Sequence, residues 1–242
     1  MNLDIGKAFT FVTEDQKWVA KLAIGGGLLL AGGITIIGNL FTVPVVIGYL
    51  LVMARNVING NPQPLPEWDN WGERWIEGIK AFAVGFVYGL PAGIIIFVIG
   101  IPGAILSASS NNGTSALGSL IVVATNYCLT PILLFLLQII VPAAIGRLAV
   151  AGNIGEAFKF SEVLATVRRN IGTYIVIALM STAVAGFITG IGLIACLVGV
   201  AFTGFYASLM TYHLYGQAQR NLQGAPIGYG QQPSMYGEPR PF

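Results

Sequence analysis

The side chains in this sequence that could take part in chemistry are the few polar residues inside long apolar stretches. Asn126 and Tyr127 stand a few residues before Thr130 and Pro131. A helix broken near this proline would expose backbone groups and could form a substrate site, as broken helices do in transporters. The commoner arrangement is a kink whose freed carbonyls are satisfied by threonine and asparagine side chains. Both interpretations follow from the same residues.

Residues typical of active sites are too scattered to form a catalytic group. His213 is the only histidine, and no cluster of cysteine and histidine accompanies it. A metal site needs several such ligands, and a serine nucleophile needs a positioned base. The sequence contains neither a phosphate-binding glycine loop nor an HExxH zinc motif. No carboxylate lies in the middle of an apolar stretch, which disfavours proton-coupled transport. We therefore expect no catalytic residues, no metal site and no cofactor.

The composition is that of a membrane protein. Of the 242 residues, 55% are hydrophobic and 9% are charged, and the mean hydropathy is +0.76. A soluble domain contains about 25% charged residues. The formal net charge of +2 is too small to indicate binding to nucleic acid. We expect an all-α protein in the lipid bilayer, whose partners would be other membrane proteins or further copies of itself.

The apolar stretches predict six transmembrane helices. A helix needs about 20 apolar residues to cross a bilayer. The predicted helices are Trp18–Ile37, Leu40–Ala54, Ala81–Ile105, Leu120–Val150, Asn170–Gly190 and Leu193–Tyr215. The connections include a tight turn at Gly38 and Asn39 and an uncharged loop over Ser107–Ser119. Thr13 and Gln16 have the spacing of a capping box, which predicts that the first long helix starts at residue 14.

Two sets of glycines repeat at a spacing of four residues, as in the GxxxG pattern of closely packed membrane helices. The first set is Gly85, Gly89 and Gly93, and the second set is Gly186 and Gly190. The pattern predicts helix–helix contacts at both places.

Charged residues are confined to four regions of the chain. They occupy the N-terminal segment, Arg55–Lys80, Arg147–Arg169 and the C-terminal end from Arg220. With six helices, these regions lie on one side of the membrane. Basic residues near the helix ends predict that this side is cytoplasmic in a cell membrane, with both termini there. Some basic residues could instead bind anionic lipid headgroups, and the candidates are Arg147, Arg168 and Arg169.

A short motif occurs twice. Residues 5–11 and 154–160 share isoleucine, glycine, alanine and two phenylalanines, which is five of seven positions. The repeat indicates that residues 1–74 and 148–215 are related halves, with residues 75–147 between them, in one membrane domain of residues 1–220. Phe9 and Phe158 should then be buried in matching places. Residues 221–242 are rich in glycine, proline and tyrosine and are predicted to form a disordered cytoplasmic tail.

The core of the longest polar break in the first half is Pro64–Gly72. Its two prolines predict a stiff and non-helical course. Asn70 and Glu73 have capping-box spacing, which predicts a helix from Trp71. We expect this to be a short interfacial helix that precedes the third membrane helix.

Tryptophan side chains prefer the boundary between membrane and water. We therefore interpret the segment as an interfacial anchor, in which three tryptophans hold the loop at the cytoplasmic boundary and two carboxylates accept hydrogen bonds from nearby backbone N–H groups. The alternative is a docking loop, whose rings stay exposed until a partner covers them. In either case the residues concerned are Pro64, Pro66, Glu67, Trp68, Asp69, Trp71 and Trp75.

Several residues around this segment form a recognisable pattern, namely Gly48, Tyr49, Asn59, Gly60, the run Pro64–Gly72, and Gly78. The pattern resembles that of an uncharacterised prokaryotic membrane-protein family, domain of unknown function 4013. The resemblance extends over most of residues 2–220. It implies a multi-pass membrane protein and no particular activity.

The sequence leaves three function classes open, of which an intramembrane enzyme is disfavoured because no catalytic group of residues is present. The first is a non-enzymatic scaffold or accessory subunit of a membrane complex, which the absence of mid-helix charges and the packing glycines favour. The alternative is a transporter or channel for a neutral or lipid-like solute, which the related halves and proline-broken helices favour. A dry, glycine-packed interior would support the scaffold, and a water-filled polar cavity would support the transporter.

Overall fold

The computed structural model describes residues 3–194 and 196–224, and all regular structure in them is helical. The helices are α1 (Ile5–Thr10), α2 (Trp18–Ile34), α3 (Ile36–Ile58), α4 (Trp71–Ser107), α5 (Asn112–Ala124), α6 (Thr130–Ala151), α7 (Ile154–Ala157), α8 (Phe160–Arg169), α9 (Ile171–Ile194) and α10 (Cys196–Leu222). A π-helical segment, Thr125–Leu129, joins α5 to α6. The all-α prediction is therefore confirmed. The predicted tail lies outside the described residues from position 225 onwards.

Four helical segments in the described part of the chain are long and apolar enough to cross a membrane. They are Ile37–Ile58, Trp71–Ser107, Asn112–Ala151 and Ile171–Leu193. Helix α2, with 17 residues, is a shorter apolar helix. Many large apolar side chains on these segments are exposed, as expected for helices that lipid surrounds. The length and composition of these helices agree with the membrane character predicted from the sequence, and the number of crossings stays a prediction.

The chain divides into two compact units. One unit takes in Met1–Gly78 and Val184–Phe242, as far as these ranges are described, and the other is Ile79–Ala183. In the first unit, α2, α3 and α10 pack against one another and α1 packs on α10. In the second unit, α6 contacts both α7 and α8.

Glycines allow α2 and α10 to lie very close together in the first unit. A Cβ atom at Gly25 would come within 2.2 Å of the Phe205 ring, and one at Gly26 within 2.4 Å of the Phe202 ring. Phe205 is completely buried. Each aromatic ring therefore fills the space that a missing side chain leaves, and this contact between the two helices is apolar.

The glycines predicted to pack helices do not do so within the described chain. No neighbouring atom lies within 4 Å of where a Cβ would stand at Gly85, Gly89, Gly93, Gly186 or Gly190. A spacing of four places small residues on one face of a helix, but it does not determine whether another helix covers that face. The four-residue spacing therefore did not identify the glycines that contact a neighbouring helix.

The connection between α2 and α3 differs from the predicted turn at Gly38 and Asn39. Thr35 separates the helices in an extended conformation, and its side-chain oxygen accepts a hydrogen bond from the N–H of Gly38 at 2.9 Å. This cap starts α3 at Ile36, so both residues of the predicted turn lie inside the helix.

Helix α2 begins four residues later than the capping-box spacing predicted, at Trp18. Residues 11–17 form turns instead. Asp15 accepts a hydrogen bond from the N–H of Lys17 through Oδ1 at 2.7 Å, which stabilises the turn just before the helix.

The predicted loop over Ser107–Ser119 is mostly helical. Asn111 ends the connection, because its side-chain oxygen accepts a hydrogen bond from the N–H of Thr114 at 3.1 Å and starts α5. A Cβ at Gly118 would stand 2.1 Å from the backbone nitrogen of Ser107. The serine- and glycine-rich composition therefore reflects two helices in backbone contact, in addition to a short turn.

Helix α4 starts at Trp71 as predicted, directly after Asn70, whose φ is 48°. The predicted short interfacial helix is absent, because the 37 residues of α4 form one continuous helix. No proline occurs in it before Pro91, so nothing interrupts its hydrogen bonds after the charged first turns. At 1.5 Å per residue, α4 is about 55 Å long, whereas the hydrocarbon layer is about 30 Å thick.

The repeated motif has a similar local structure at both places. Asp4 and Asn153 each accept a backbone N–H hydrogen bond through the side chain, at the starts of α1 and α7. Ala8 and Ala157, which occupy the same motif position, are both buried. The local likeness thus includes the cap as well as the motif.

The phenylalanines of the motif do not lie as predicted. Phe9 is 39% exposed, and Phe158 is only half-buried. Phe11 is the buried ring instead, and it stacks on the ring of His213 at 4.2 Å. Because α1 has only six residues and buries Ala8, the next residue turns away from the core.

The π-helical segment joins α5 and α6 without a break, so the helix is not interrupted beside Thr130 and Pro131. Asn126 donates a hydrogen bond from Nδ2 to the carbonyl of Val122 at 2.9 Å. The same carbonyl also accepts a hydrogen bond from the backbone N–H of Thr125. The segment Asn112–Ala151 remains helical throughout.

Candidate functional site at the proline–tryptophan loop

The proline–tryptophan loop, Pro64–Gly72, is held by side chains from three helices. Two prolines remove backbone donors, and the loop is non-helical up to Asn70, so its carbonyls need other partners. Four successive carbonyls accept hydrogen bonds from side chains: Pro64 from Asn56 Nδ2 at 2.9 Å, Leu65 from Lys21 Nζ at 3.0 Å, Pro66 from the Tyr49 hydroxyl at 2.9 Å, and Glu67 from Arg74 Nη2 at 3.4 Å. The backbone of the loop is therefore fastened at consecutive residues.

Aromatic rings hold the next part of the loop. The ring of Trp68 stacks on Tyr49 with centroids 4.0 Å apart, and it lies 6.0 Å from the ring of Phe205. Its indole N–H donates to the carbonyl of Lys21 at 3.0 Å. Trp68 therefore stabilises the loop from inside the protein.

A buried ion pair lies under the loop. The ammonium of Lys21 is 2.7 Å from Asp15 Oδ2 and 3.3 Å from Glu67 Oε1. The side chains of Lys21 and Asp15 are 7% and 9% exposed, so each compensates the other's loss of hydration. Removing either partner would leave an uncompensated charge in the interior.

The two loop carboxylates bind basic side chains rather than the predicted backbone N–H groups. Glu67 lies near Lys21 and, at 3.5 Å, near Lys17. Asp69 accepts a hydrogen bond from Arg74 Nη2 at 3.0 Å. Both carboxylates are more than half exposed, so each of these contacts contributes little stability.

Trp68 and Trp71 in the loop, and Trp75 just after it, have different environments. Trp71 is 46% exposed, and its ring lies 5.6 Å from that of Trp68. Trp75 is half-buried, and its indole nitrogen is buried without a hydrogen-bond partner among the described residues. An interfacial anchor needs its N–H in contact with water or headgroups. The structure places only Trp71 suitably for contact with the surroundings.

A polar cleft of about 240 Å³ adjoins the loop and is lined by Asp15, Gln16, Lys17, Lys21, Gln63, Leu65 and Glu67. Its carboxylates and ammonium groups already pair with one another. No group of three or more histidine, cysteine or acidic residues suited to a metal occurs in the described part of the chain. The cleft thus offers charge pairs that hold the loop, and no nucleophile beside a base.

Two glycines allow α3 and α4 to cross in backbone contact beside the loop. A Cβ at Gly48 would stand 1.8 Å from the carbonyl oxygen of Arg74, and one at Gly78 would stand 1.7 Å from that of Pro44. Only glycine fits at either position. The crossing places Arg74 where it can bind the loop.

Most residues that carried the sequence resemblance therefore meet in one corner of the first unit. The family model described as protein of unknown function (DUF4013) matches residues 31–211. The chain belongs to this family. The matched region of this DUF4013 protein contains the loop, both crossing glycines and Tyr49, and it is shorter than the range expected from the resemblance. Comparisons with curated proteins and with solved structures gave no significant match.

Sequence reasoning missed the N-terminal part of the site, Lys21 and Asp15, which precedes the region matched by DUF4013. A signal was present, because Lys21 lies one turn inside a predicted membrane helix. A charge in such a position is costly and is usually paired. The sequence did not indicate that the partners would come from residue 15 and from a loop more than forty positions later.

The three predicted headgroup contacts lie in the second unit and are not equivalent. The guanidinium of Arg147 contacts Glu156, at 2.9 Å, and Glu162. Arg168 and Arg169 are exposed at the end of α8, and within the described residues neither pairs with a carboxylate. Arg147 therefore holds α7 and α8, and only the other two are available to an external anion.

Lys159 completes the charge cluster of α7 and α8. Its ammonium lies 2.7 Å from Glu156 Oε1. The hydrogen bond from Lys159, together with its positive charge, lowers the pKa of Glu156, and the same hydrogen bond raises the pKa of Lys159. Each group is therefore held in its charged form.

Proposed function

We propose that this protein is a non-enzymatic, multi-pass protein of the cell membrane that serves as a scaffold or accessory subunit, and that a membrane partner docks on the outer side of the proline–tryptophan loop at Trp71. The proposal depends on one observation. Four successive loop carbonyls are hydrogen-bonded to side chains, while Trp71 stays 46% exposed. A surface that is already ordered loses little conformational freedom on binding. Tryptophan is also among the residues that most often dominate binding energy.

Docking accounts for this loop better than the anchor interpretation does. Trp68 of the loop and Trp75, three residues after its end, face inward: Trp68 donates its N–H to the carbonyl of Lys21, and Trp75 has a buried indole nitrogen. Neither N–H can contact lipid headgroups. Trp71 is the exposed ring of the three, and the carboxylates of Glu67 and Asp69 in the same loop are also exposed.

The interior of the first unit supports a scaffold over the alternative of a transporter or channel for a neutral or lipid-like solute. Where α2 and α10 meet, the contacts are those of Gly25 and Gly26 with phenylalanine rings. Such packing leaves no polar path between these helices.

The proposal includes six membrane crossings, with both termini in the cytoplasm, and two related halves. The 17 residues of α2 reach the lower limit for a membrane-spanning helix, and the 27 residues of α10 exceed it. Shared caps and shared buried alanines in α1 and α7 support the duplication.

The docking proposal is tested by placing a photo-crosslinking amino acid at position 71 in native membranes. We expect a discrete adduct of higher mass with a protein partner or a second copy. The matched control is position 97, because Phe97 lies on the same helix and is 65% exposed on an apolar stretch. A crosslink at 71 to lipid alone, as at 97, would contradict docking and support the anchor.

A further inference from the structure

The second compact unit contains an apolar cavity of about 340 Å³ between α4, α6 and α8. This volume is within the range of about 300–1,000 Å³ in which proteins hold small ligands. Among the lining residues only Tyr88 carries a polar group, and its hydroxyl already donates to the carbonyl of Ala157 at 2.7 Å. An occupant would therefore find apolar surface and no free hydrogen-bonding group.

The cavity lies just inside the apolar part of two long helices. Its lining on α4 runs from Val87 to Ile95, after Lys80, the last charged residue of that helix. Its lining on α6 runs from Leu133 to Ile140, before the first charged residue, Arg147. The cavity thus begins where the charged ends of both helices give way to lipid-compatible surface.

Helix α8 forms the third wall and has two different faces. Val163 and Val167 are buried, whereas Glu162 and the two terminal arginines are exposed. A helix of this kind beside apolar helices lies in the headgroup region of a bilayer. It therefore separates the cavity from the charged surface of the membrane.

Charge identifies the occupant. Arg168 follows Leu164, a lining residue, by four positions, so both side chains lie on the same face of α8, about 5–6 Å apart at their Cβ atoms. Other basic groups nearby, on Arg147 and Lys159, are already paired with carboxylates. Arg168 and Arg169 have no such partner among the described residues.

We propose that this cavity binds one acyl chain of an anionic phospholipid, whose headgroup contacts Arg168 and Arg169. The apolar lining surrounds the chain, and the two arginines at the membrane surface donate hydrogen bonds to the phosphate and attract any further negative charge of the headgroup. The site belongs to a single compact unit and does not depend on what docks at Trp71.

Native mass spectrometry of the full chain in detergent tests the proposal with phosphatidylglycerol and with phosphatidylcholine of the same acyl chains. We expect one retained phosphatidylglycerol, several-fold more than phosphatidylcholine. Leu136→Trp should reduce both lipids several-fold, because Leu136 lines the cavity and is 49% exposed, so a larger ring can enter the cavity without disturbing the core. Leu134→Trp is the matched control, since Leu134 is 51% exposed and does not line the cavity.

The headgroup contact is tested separately. Arg168→Gln combined with Arg169→Gln should abolish the preference for phosphatidylglycerol, whereas Lys17→Gln, at a cation of the first unit, should leave it unchanged. Equal lipid retention in the Leu136 and Leu134 variants, or no preference for the anionic lipid in the unaltered protein, would overturn the proposal.

A second measurement uses the unaltered protein and therefore does not depend on the folding of a variant. Phosphatidylglycerol with a photoreactive group at the end of one acyl chain should label peptides that contain Val87–Ile95 or Leu133–Ile140. Labelling spread evenly over all apolar helices would show annular lipid only and would refute a defined site.

Discussion

At Gly48 and Gly78 the site depends on residues that have no side chain. Their missing side chains let α3 and α4 touch through the backbone, which places Arg74 beside the loop. Backbone cannot move aside as the end of a flexible side chain can. The two positions therefore determine how closely α3 and α4 can approach, and with it whether Arg74 reaches the loop.

We predict that Gly78→Ala destabilises the protein by about 1–3 kcal/mol or more, because overpacked interiors cost this much. The added Cβ would stand 1.7 Å from the carbonyl oxygen of Pro44. Gly72→Ala is the control on the same helix, since nothing lies within 4 Å of its Cβ position. Thermal unfolding in detergent should show a lower midpoint for the first variant only. Equal midpoints would show that the helices separate easily.

The sequence showed which residues belong to the loop site better than it showed which side chains they contact. The pattern around the loop was visible in sequence, and its stiff course follows from the chemistry of proline. The donors Lys21, Tyr49 and Asn56 could not be assigned, because a hydrogen bond to a loop carbonyl requires position in space rather than spacing in the chain. The glycine pattern failed for the same reason: Gly85 and Gly26 look alike in sequence, and only Gly26 meets a ring.

At the scale of elements, the short helices α7 and α8 share a cluster of ion pairs in addition to their buried apolar side chains. Arg147 and Lys159 bind Glu156 and Glu162 in one cluster. The hydrogen bond from Lys159 lowers the pKa of Glu156 below its ordinary value of 4.5. The hydrogen bond between Lys159 and Glu156 therefore stabilises the folded state fully above pH 4.5. This stabilisation is lost as the pH falls through the lowered pKa of Glu156.

We predict that α7 and α8 become more accessible than the rest of the second unit as the pH falls below 4.5. Hydrogen exchange, corrected for its intrinsic pH dependence, should show increased opening of residues 154–169. Glu156→Gln should show part of this opening already at pH 7 and a weaker dependence on pH. Glu73→Gln, at an exposed glutamate in the first turn of α4, should behave like the unaltered protein. Opening unaffected by Glu156→Gln would assign the pH effect to other carboxylates.

Element type was predictable from the sequence, and element boundaries were less so. Apolar stretches marked the long helices, but single caps decided their ends. Thr35 starts a new helix inside the stretch predicted as one helix, Trp18–Ile37, and Asn111 starts a helix inside the segment predicted as a loop. The capping-box spacing was right for Trp71 and wrong for residue 14, where the turn at Asp15 competes with the helix.

At the scale of the whole molecule, the first unit is built from two stretches of chain that flank the second unit. The described residues between 184 and 224 belong to the same unit as the N-terminal part, with α10 packed on α2 and α3. Sequence predicted the apolar helices of this arrangement but not their neighbours. The contact between Phe205 and Gly25 cannot be predicted from the periodicity or the composition of the sequence.

We predict that α4 crosses the membrane and that the charged connections share one side. Single cysteines replace Asn61, Asn111 or Ser161, all exposed, in a background with Cys128→Ser and Cys196→Ser. An impermeant maleimide should label position 111 in intact cells, and positions 61 and 161 only after permeabilisation. The same pattern at all three positions would contradict the six-crossing topology.

The fastening of the proline–tryptophan loop also has a consequence for biogenesis. Four side chains donate hydrogen bonds to the loop carbonyls. Three of them, Lys21, Tyr49 and Asn56, precede the loop in the chain, and Arg74 follows it by two residues. Synthesis proceeds from the N-terminus, and early segments can fold before later ones exist. The loop can therefore close while the ribosome is still translating α4. The ring of Phe205, 6.0 Å from that of Trp68, can reach its place only after α10 has been synthesised, so the backbone of the loop can order before the apolar contacts on its inner side are complete.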